Sequence, residues 1–122
     1  LSRDSSLSCA SCHKPQFAYA DNTPVSKGVQ NQIGNRNVPS AMNQKEHNFY
    51  FWDGRAETIE EQALGPIENP VEMDLPLTEA VKRLKRNELY LKSFHAVTNA
   101  FLHTGFTFVH FSTLWAWFLS FF

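Results

Sequence analysis

Two thiols and an imidazole stand within five residues of one another near the start of the chain, as Cys9-Ala10-Ser11-Cys12-His13. Cysteines three apart lie on one helical turn and can bond both vinyl groups of a single porphyrin as thioethers. The adjacent imidazole then reaches the iron from the same side as the proximal ligand. C-x-x-C-H is the attachment signature of c-type haem, and the composition predicts only about 0.001 chance matches to it in a chain of this length. Three duller chemistries compete for the same residues. A Cys9–Cys12 redox disulfide lacks the βαβ context of a thioredoxin. A zinc site needs two further ligands, for which only the scattered His47, His95, His103 and His110 are available. Inert buried thiols leave His13 unexplained. Covalent haem also implies maturation outside the cytoplasm.

The ligand opposite His13 separates an electron carrier from a reaction centre. A distal methionine closes the iron, whereas an open distal side admits peroxide. The chain has two methionines, Met42 and Met73. Met73 is the candidate sixth ligand of a single-haem electron-transfer cytochrome, or else filler against the haem edge. Gln62, Pro66 and Glu72 cluster just before it. A glutamate and a glutamine above an open iron can move a peroxide proton and polarise its O–O bond, which is general acid–base work. Alone, Glu72 reads far more often as a solvated loop carboxylate.

The elements that must position these residues are helical. Leu7 to Lys14 reads as a short helix stopped by Pro15. Residues 16–44 show no sustained periodicity and are rich in Asn, Pro and Gly, the composition of turns. So long an irregular stretch in a compact domain points to a bound group that supplies the missing core. The aromatic run Phe49-Tyr50-Phe51-Trp52 ends at the turn signal Asp53-Gly54. Thr58 and Glu61 form a capping-box pattern for a helix from Ile59 to Leu64, with Gly65-Pro66 ending it and a loop from Ile67 to Pro76. Thr78 is read as the cap of a helix to about Arg86 that buries Ala80, Val81 and Leu84. A last helix, Leu89 to Val97, is read as burying Leu89, Tyr90, Phe94 and Val97. The expected class is all-α, a cytochrome c-like helical domain with long irregular loops around a covalent haem.

Composition sets the outer bounds. A chain of 122 residues suits one compact domain, and 43 % hydrophobic with 19 % charged residues reads as globular. A net charge of −1 supplies no field for nucleic acid, and two cysteines make no disulfide scaffold. The average conceals a break: residues 101–122 contain no Asp, Glu, Lys or Arg and are crowded with Phe and Trp. The chain therefore divides into a haem domain over 1–99 and an apolar aromatic tail over 100–122. A shifted reading frame is the first reading of that tail, and contact with a membrane as an anchor the second. A buried core helix fits poorly, because its aromatics face every direction.

Three blocks carry a resemblance: CASCH, SKGVQNQIGNRNVPS and FYFWDGRAETIEEQALGPIENPVEM. Together they resemble the N-terminal haem domain of the bacterial di-haem cytochrome c peroxidases and the related MauG enzymes. The likeness covers roughly residues 1–99. It implies a periplasmic, mainly helical, two-domain enzyme that reduces hydrogen peroxide to water, with electrons from a small redox protein such as a cytochrome or cupredoxin. It also implies a second haem in a C-terminal domain and calcium between the domains. By position, Cys9 and Cys12 match the thioether cysteines and His13 the proximal ligand. Gln62, Pro66 and Glu72 match the distal-pocket residues, with Glu72 as acid–base catalyst. Trp52 matches a relay tryptophan between the haems, and Asn37 an asparagine that helps hold calcium. Two departures follow. Val29 stands where many family members place a histidine that caps the resting iron, which predicts a high-spin ferric resting signal. No second C-x-x-C-H occurs, so the resemblance implies a fragment whose full turnover needs a partner haem.

Overall fold

The computed structural model describes residues 1–98, and they are helical. The described residues form four α-helices: α1 (Cys9–Cys12), α2 (Ile59–Glu68), α3 (Leu77–Lys85) and α4 (Glu88–Thr98). Three short 3₁₀ turns, Pro15–Phe17, Val29–Asn31 and Gln44–Glu46, punctuate the long stretch between α1 and α2. Among the described residues no strand forms, and only isolated bridges pair Lys14 with Ala20, Lys27 with Ile33 and Tyr50 with Ala56. The all-α reading holds. The apolar tail assigned to 100–122 lies outside the described residues. No helix among those described is long and apolar enough to cross a membrane.

Helix α2 is longer than its sequence signals imply. Thr58 caps it as expected, its Oγ1 accepting from the Glu61 backbone N–H at 3.1 Å. The Glu61 carboxylate accepts from the Glu57 N–H at 2.9 Å, one residue earlier than in the standard capping box. The helix then runs on through Gly65 and Pro66 to Glu68. Proline in a helix removes one donor, but tertiary contacts satisfy this last turn. Met73 N–H donates to the Pro66 carbonyl at 3.1 Å, and Leu75 N–H to the Ile67 carbonyl at 2.8 Å. Gly65 serves close approach rather than termination, since a Cβ there would sit 2.9 Å from the Phe51 ring.

Two further boundaries shift. Helix α3 is capped by Pro76, not Thr78, and ends at Lys85. The fixed φ of proline suits that position, and Thr78 falls inside the first turn. Ala80 is fully buried, with Val81 and Leu84 half-buried. On α4, Phe94 is buried and Tyr90 half-buried, but Leu89 is 75 % exposed, contrary to its predicted burial. Leu89 lies in the first turn of α4, and Tyr90 is the residue that packs against the core. That core joins Ile67, Met73, Leu75 and Ala80, with Leu1, Leu77, Leu84 and Tyr90 packed around it. Helix α3 lies against both α2 and α4, so the cluster locks the end of α2, the following loop and α3 into one unit.

Candidate haem site

Ile67 and Met73 of the core cluster border a cavity of about 400 Å³. Cys9, Cys12 and His13 line it from α1 and its end; Gln62, Ala63, Pro66 and Ile67 line it from α2. Glu72 and Met73 enter from the loop after α2, and Asn37, Trp52 and Arg55 from the long irregular segments. Cys9, Cys12, His13, Gln62, Pro66, Glu72, Trp52 and Asn37 thus border one space.

The proximal side is built from backbone. His13 N–H donates to the Cys9 carbonyl at 2.9 Å, so His13 stands one helical turn after Cys9 and directly after Cys12. The chain reverses over 14–20, where Lys14 and Ala20 pair and Ala18 and Tyr19 adopt left-handed backbone at φ 53° and 56°. That reversal sets the Tyr19 carbonyl 2.8 Å from His13 Nδ1. A carbonyl only accepts, so Nδ1 carries the proton and the lone pair lies on Nε2, the tautomer a metal-ligating histidine uses. Burial pushes the His13 pKa down, opposed by the Tyr19 and Pro39 backbone, which favours the neutral, coordinating imidazole. Cys9 and Cys12 are not joined in a disulfide. Burial pushes the Cys12 thiol pKa up, with the charges of Asp21 and Glu72 adding to it and Lys14 opposing.

Gln62 and Pro66 stand four apart on α2, hence on one face. Glu72 is half-buried, and burial raises its carboxyl pKa while the positive charge of Arg55 opposes the rise. Arg55 carried no signal of its own in the sequence. Its guanidinium lies 3.4 Å from the Phe51 ring centroid and pairs with Asp53 at 2.8 Å. Asp53 also pairs with Arg36 at 3.0 Å. Trp52 is 63 % exposed, and its indole N–H donates to the Asn37 carbonyl at 2.9 Å. The Asn37 side-chain amide donates to the Asp21 and Thr23 carbonyls. Met73 borders the cavity but is 7 % exposed and belongs to the core cluster, the surroundings of a packing residue. Val29 does not line the cavity.

These residues fit a c-type haem: two thiols on one turn, an imidazole in the right tautomer, and a partly apolar space. Among the described residues no group of three or more His, Cys, Asp or Glu could hold a metal ion. The family model described as di-haem cytochrome c peroxidase matches residues 1–119. The chain belongs to the di-haem cytochrome c peroxidase family. This peroxidase-family chain is 49 % identical over 73 residues to cytochrome c551 peroxidase of Pseudomonas aeruginosa, covering 60 % of the chain and 21 % of that protein. It is 37 % identical over 94 residues to methylamine utilization protein MauG of Methylophilus methylotrophus, covering 77 % and 28 %. A solved MauG-like protein associated with microbial copper homeostasis superposes with a TM-score of 0.75 at 28 % identity, over 91 % of the chain and 34 % of that structure. The chain therefore spans well under half the length of the relatives it matches.

Proposed function

We propose that the chain is the peroxide-reacting haem domain of a periplasmic oxidoreductase, converting hydrogen peroxide, two electrons and two protons into two waters. Bound through Cys9 and Cys12, the haem supplies a redox-active iron for that chemistry. His13 would ligate its iron, with the Tyr19 carbonyl fixing the imidazole ring. Glu72, as carboxylate, would take a proton from one peroxide oxygen and return it to the other as the O–O bond breaks. One water then leaves, and two electrons with two protons convert the remaining oxygen to the second water. Gln62 donates an N–H to the peroxide and orients it, and Pro66 fills the same helix face without competing for that bond. Trp52, exposed at the rim, is the relay through which electrons enter from a second haem, itself reduced by a small redox protein. Asn37 contributes to a calcium site beside it.

The observation that supports this reading is the meeting of Gln62, Pro66 and Glu72 with Cys9, Cys12 and His13 in one cavity. The chain, matured in an export host, should carry one haem by intact mass, lost in a Cys9→Ser, Cys12→Ser double variant. Glu72→Gln should keep the haem and slow the reaction with peroxide by about 10²- to 10⁴-fold in stopped-flow absorbance. An unchanged rate would remove Glu72 from the reaction.

A further inference from the structure

We propose that Gly28 and Val29 are positioning residues, holding the Glu72 carboxyl in the cavity by seating the 26–34 loop directly on the backbone of Val71 and Glu72. This inference rests on the role of Glu72 proposed above. The loop is a tight reversal. Gly28 N–H donates to the Gln32 carbonyl and Gly34 N–H to the Ser26 carbonyl, both at 2.9 Å, while Lys27 pairs with Ile33. Its tip, Gln30 and Asn31, turns through left-handed backbone at φ 54° and 59°. Two of its residues reach across to the Glu72 turn. Val29, 3 % exposed, donates its N–H to the Glu72 carbonyl at 2.8 Å. The Gln32 side-chain amide donates to the Pro70 carbonyl at 2.9 Å.

Gly28 makes this approach possible. Its backbone is in the extended region, with φ −103°, so the demand for glycine is one of space. A Cβ would lie 1.8 Å from the Val71 carbonyl oxygen, 2.6 Å from its carbon and 2.8 Å from the Glu72 Cα. These are backbone atoms with no rotamer to turn aside. Real Cβ atoms essentially never come within 3.0 Å, so alanine must part the two segments by about 1.2 Å. On its other side the Glu72 turn is tied to α2: Glu72 N–H donates to the Asn69 carbonyl and Val71 N–H to Asn69 Oδ1, both at 3.0 Å. With Asn69 behind and Val29 in front, both polar groups of the Glu72 backbone are spoken for. Parting the loop therefore turns the carboxyl. Arg55 and Cys12 are the charged and titratable groups coupled to it.

The haem-bearing chain tests this with Gly28→Ala, Gln32→Ala and Glu72→Gln. The carboxyl titration of Glu72 is read by difference infrared spectroscopy, its band being the one absent from Glu72→Gln. Gly28→Ala should keep covalent haem and helical circular dichroism, shift the Glu72 titration down toward the ordinary glutamate range, and slow the peroxide reaction by about a hundredfold. Combined with Glu72→Gln it should slow the reaction no further. Gln32→Ala should move both readouts the same way and less. An unshifted titration in Gly28→Ala overturns the proposal; should that variant not fold, an unshifted titration in Gln32→Ala does so. A wild-type rate in Glu72→Gln would instead sink the acid–base role, while the titration still judges the loop.

Discussion

Leu75→Ala strips an isopropyl group from a residue 1 % exposed, at the centre of the cluster with Ile67, Met73 and Ala80. The lost transfer energy and the cavity left behind together cost 2–5 kcal/mol for buried leucines, about 3 kcal/mol as a central value. Leu89→Ala makes the same chemical change at a side chain 75 % exposed, where substitutions stay within about 0.5 kcal/mol and alanine is the better helix former. Urea unfolding of the haem-bearing chain, followed by far-ultraviolet circular dichroism, separates the two. With a slope of about 1.5 kcal/mol per molar urea, the Leu75→Ala midpoint should fall by about 2 M, while Leu89→Ala should stay within about 0.3 M of the parent. Because the Leu75 side chain packs with Ile67 of α2 and with Met73, next to Glu72, the Leu75→Ala loss should also loosen the loop that carries Glu72. Equal midpoint shifts, or a larger one for Leu89→Ala, would refute the assignment of the core to the α2–α3 junction.

Two further outcomes are expected. Thr58→Ala removes the acceptor for the Glu61 N–H and should lower stability by about 1 kcal/mol in the same urea assay, whereas Thr58→Ser should restore most of it. Burial raises the Glu72 pKa above its ordinary 4.5, so the folded state holds this proton more tightly than the unfolded chain. Stability linked to it is then present below the ordinary value and lost as pH rises through the raised one. Glu72→Gln cancels that dependence. Relative to the parent it should gain stability as pH rises above the ordinary glutamate value of 4.5, and a difference that does not change with pH there would refute the raised pKa.

The haem-binding turn was legible because its chemistry is local. Cys9, Cys12 and His13 lie within five residues of one another, and a single helical turn aligns them. The Thr58–Glu61 cap was legible for the same reason. Leu89 and the end of α2 were misread because their outcome depends on partners far along the chain. Gly65-Pro66 carries the local signature of a helix end, yet the Phe51 ring and the N–H groups of Met73 and Leu75 carry the helix past it. Leu89 has the pattern of a buried residue, but the neighbouring Tyr90 takes the contact with the core. The Tyr19 carbonyl that orients His13 left no trace, since a backbone oxygen has no letter of its own.

Residue type and short-range spacing by themselves pointed to a c-type haem, to the helical class and to Gln62, Pro66 and Glu72 as candidates for peroxide chemistry, because thioether attachment, capping and amphipathic periodicity act over a few residues. Trp52 and Asn37 came only from the family resemblance. Tertiary structure alone decided that Glu72, 59 positions beyond His13, faces the same cavity. It also decided that Arg55 opposes the burial of Glu72 and that Gly28 has no room for a Cβ. Each of these is a contact between segments separated by many residues of irregular chain, where packing and backbone hydrogen bonds, rather than local propensity, select the arrangement.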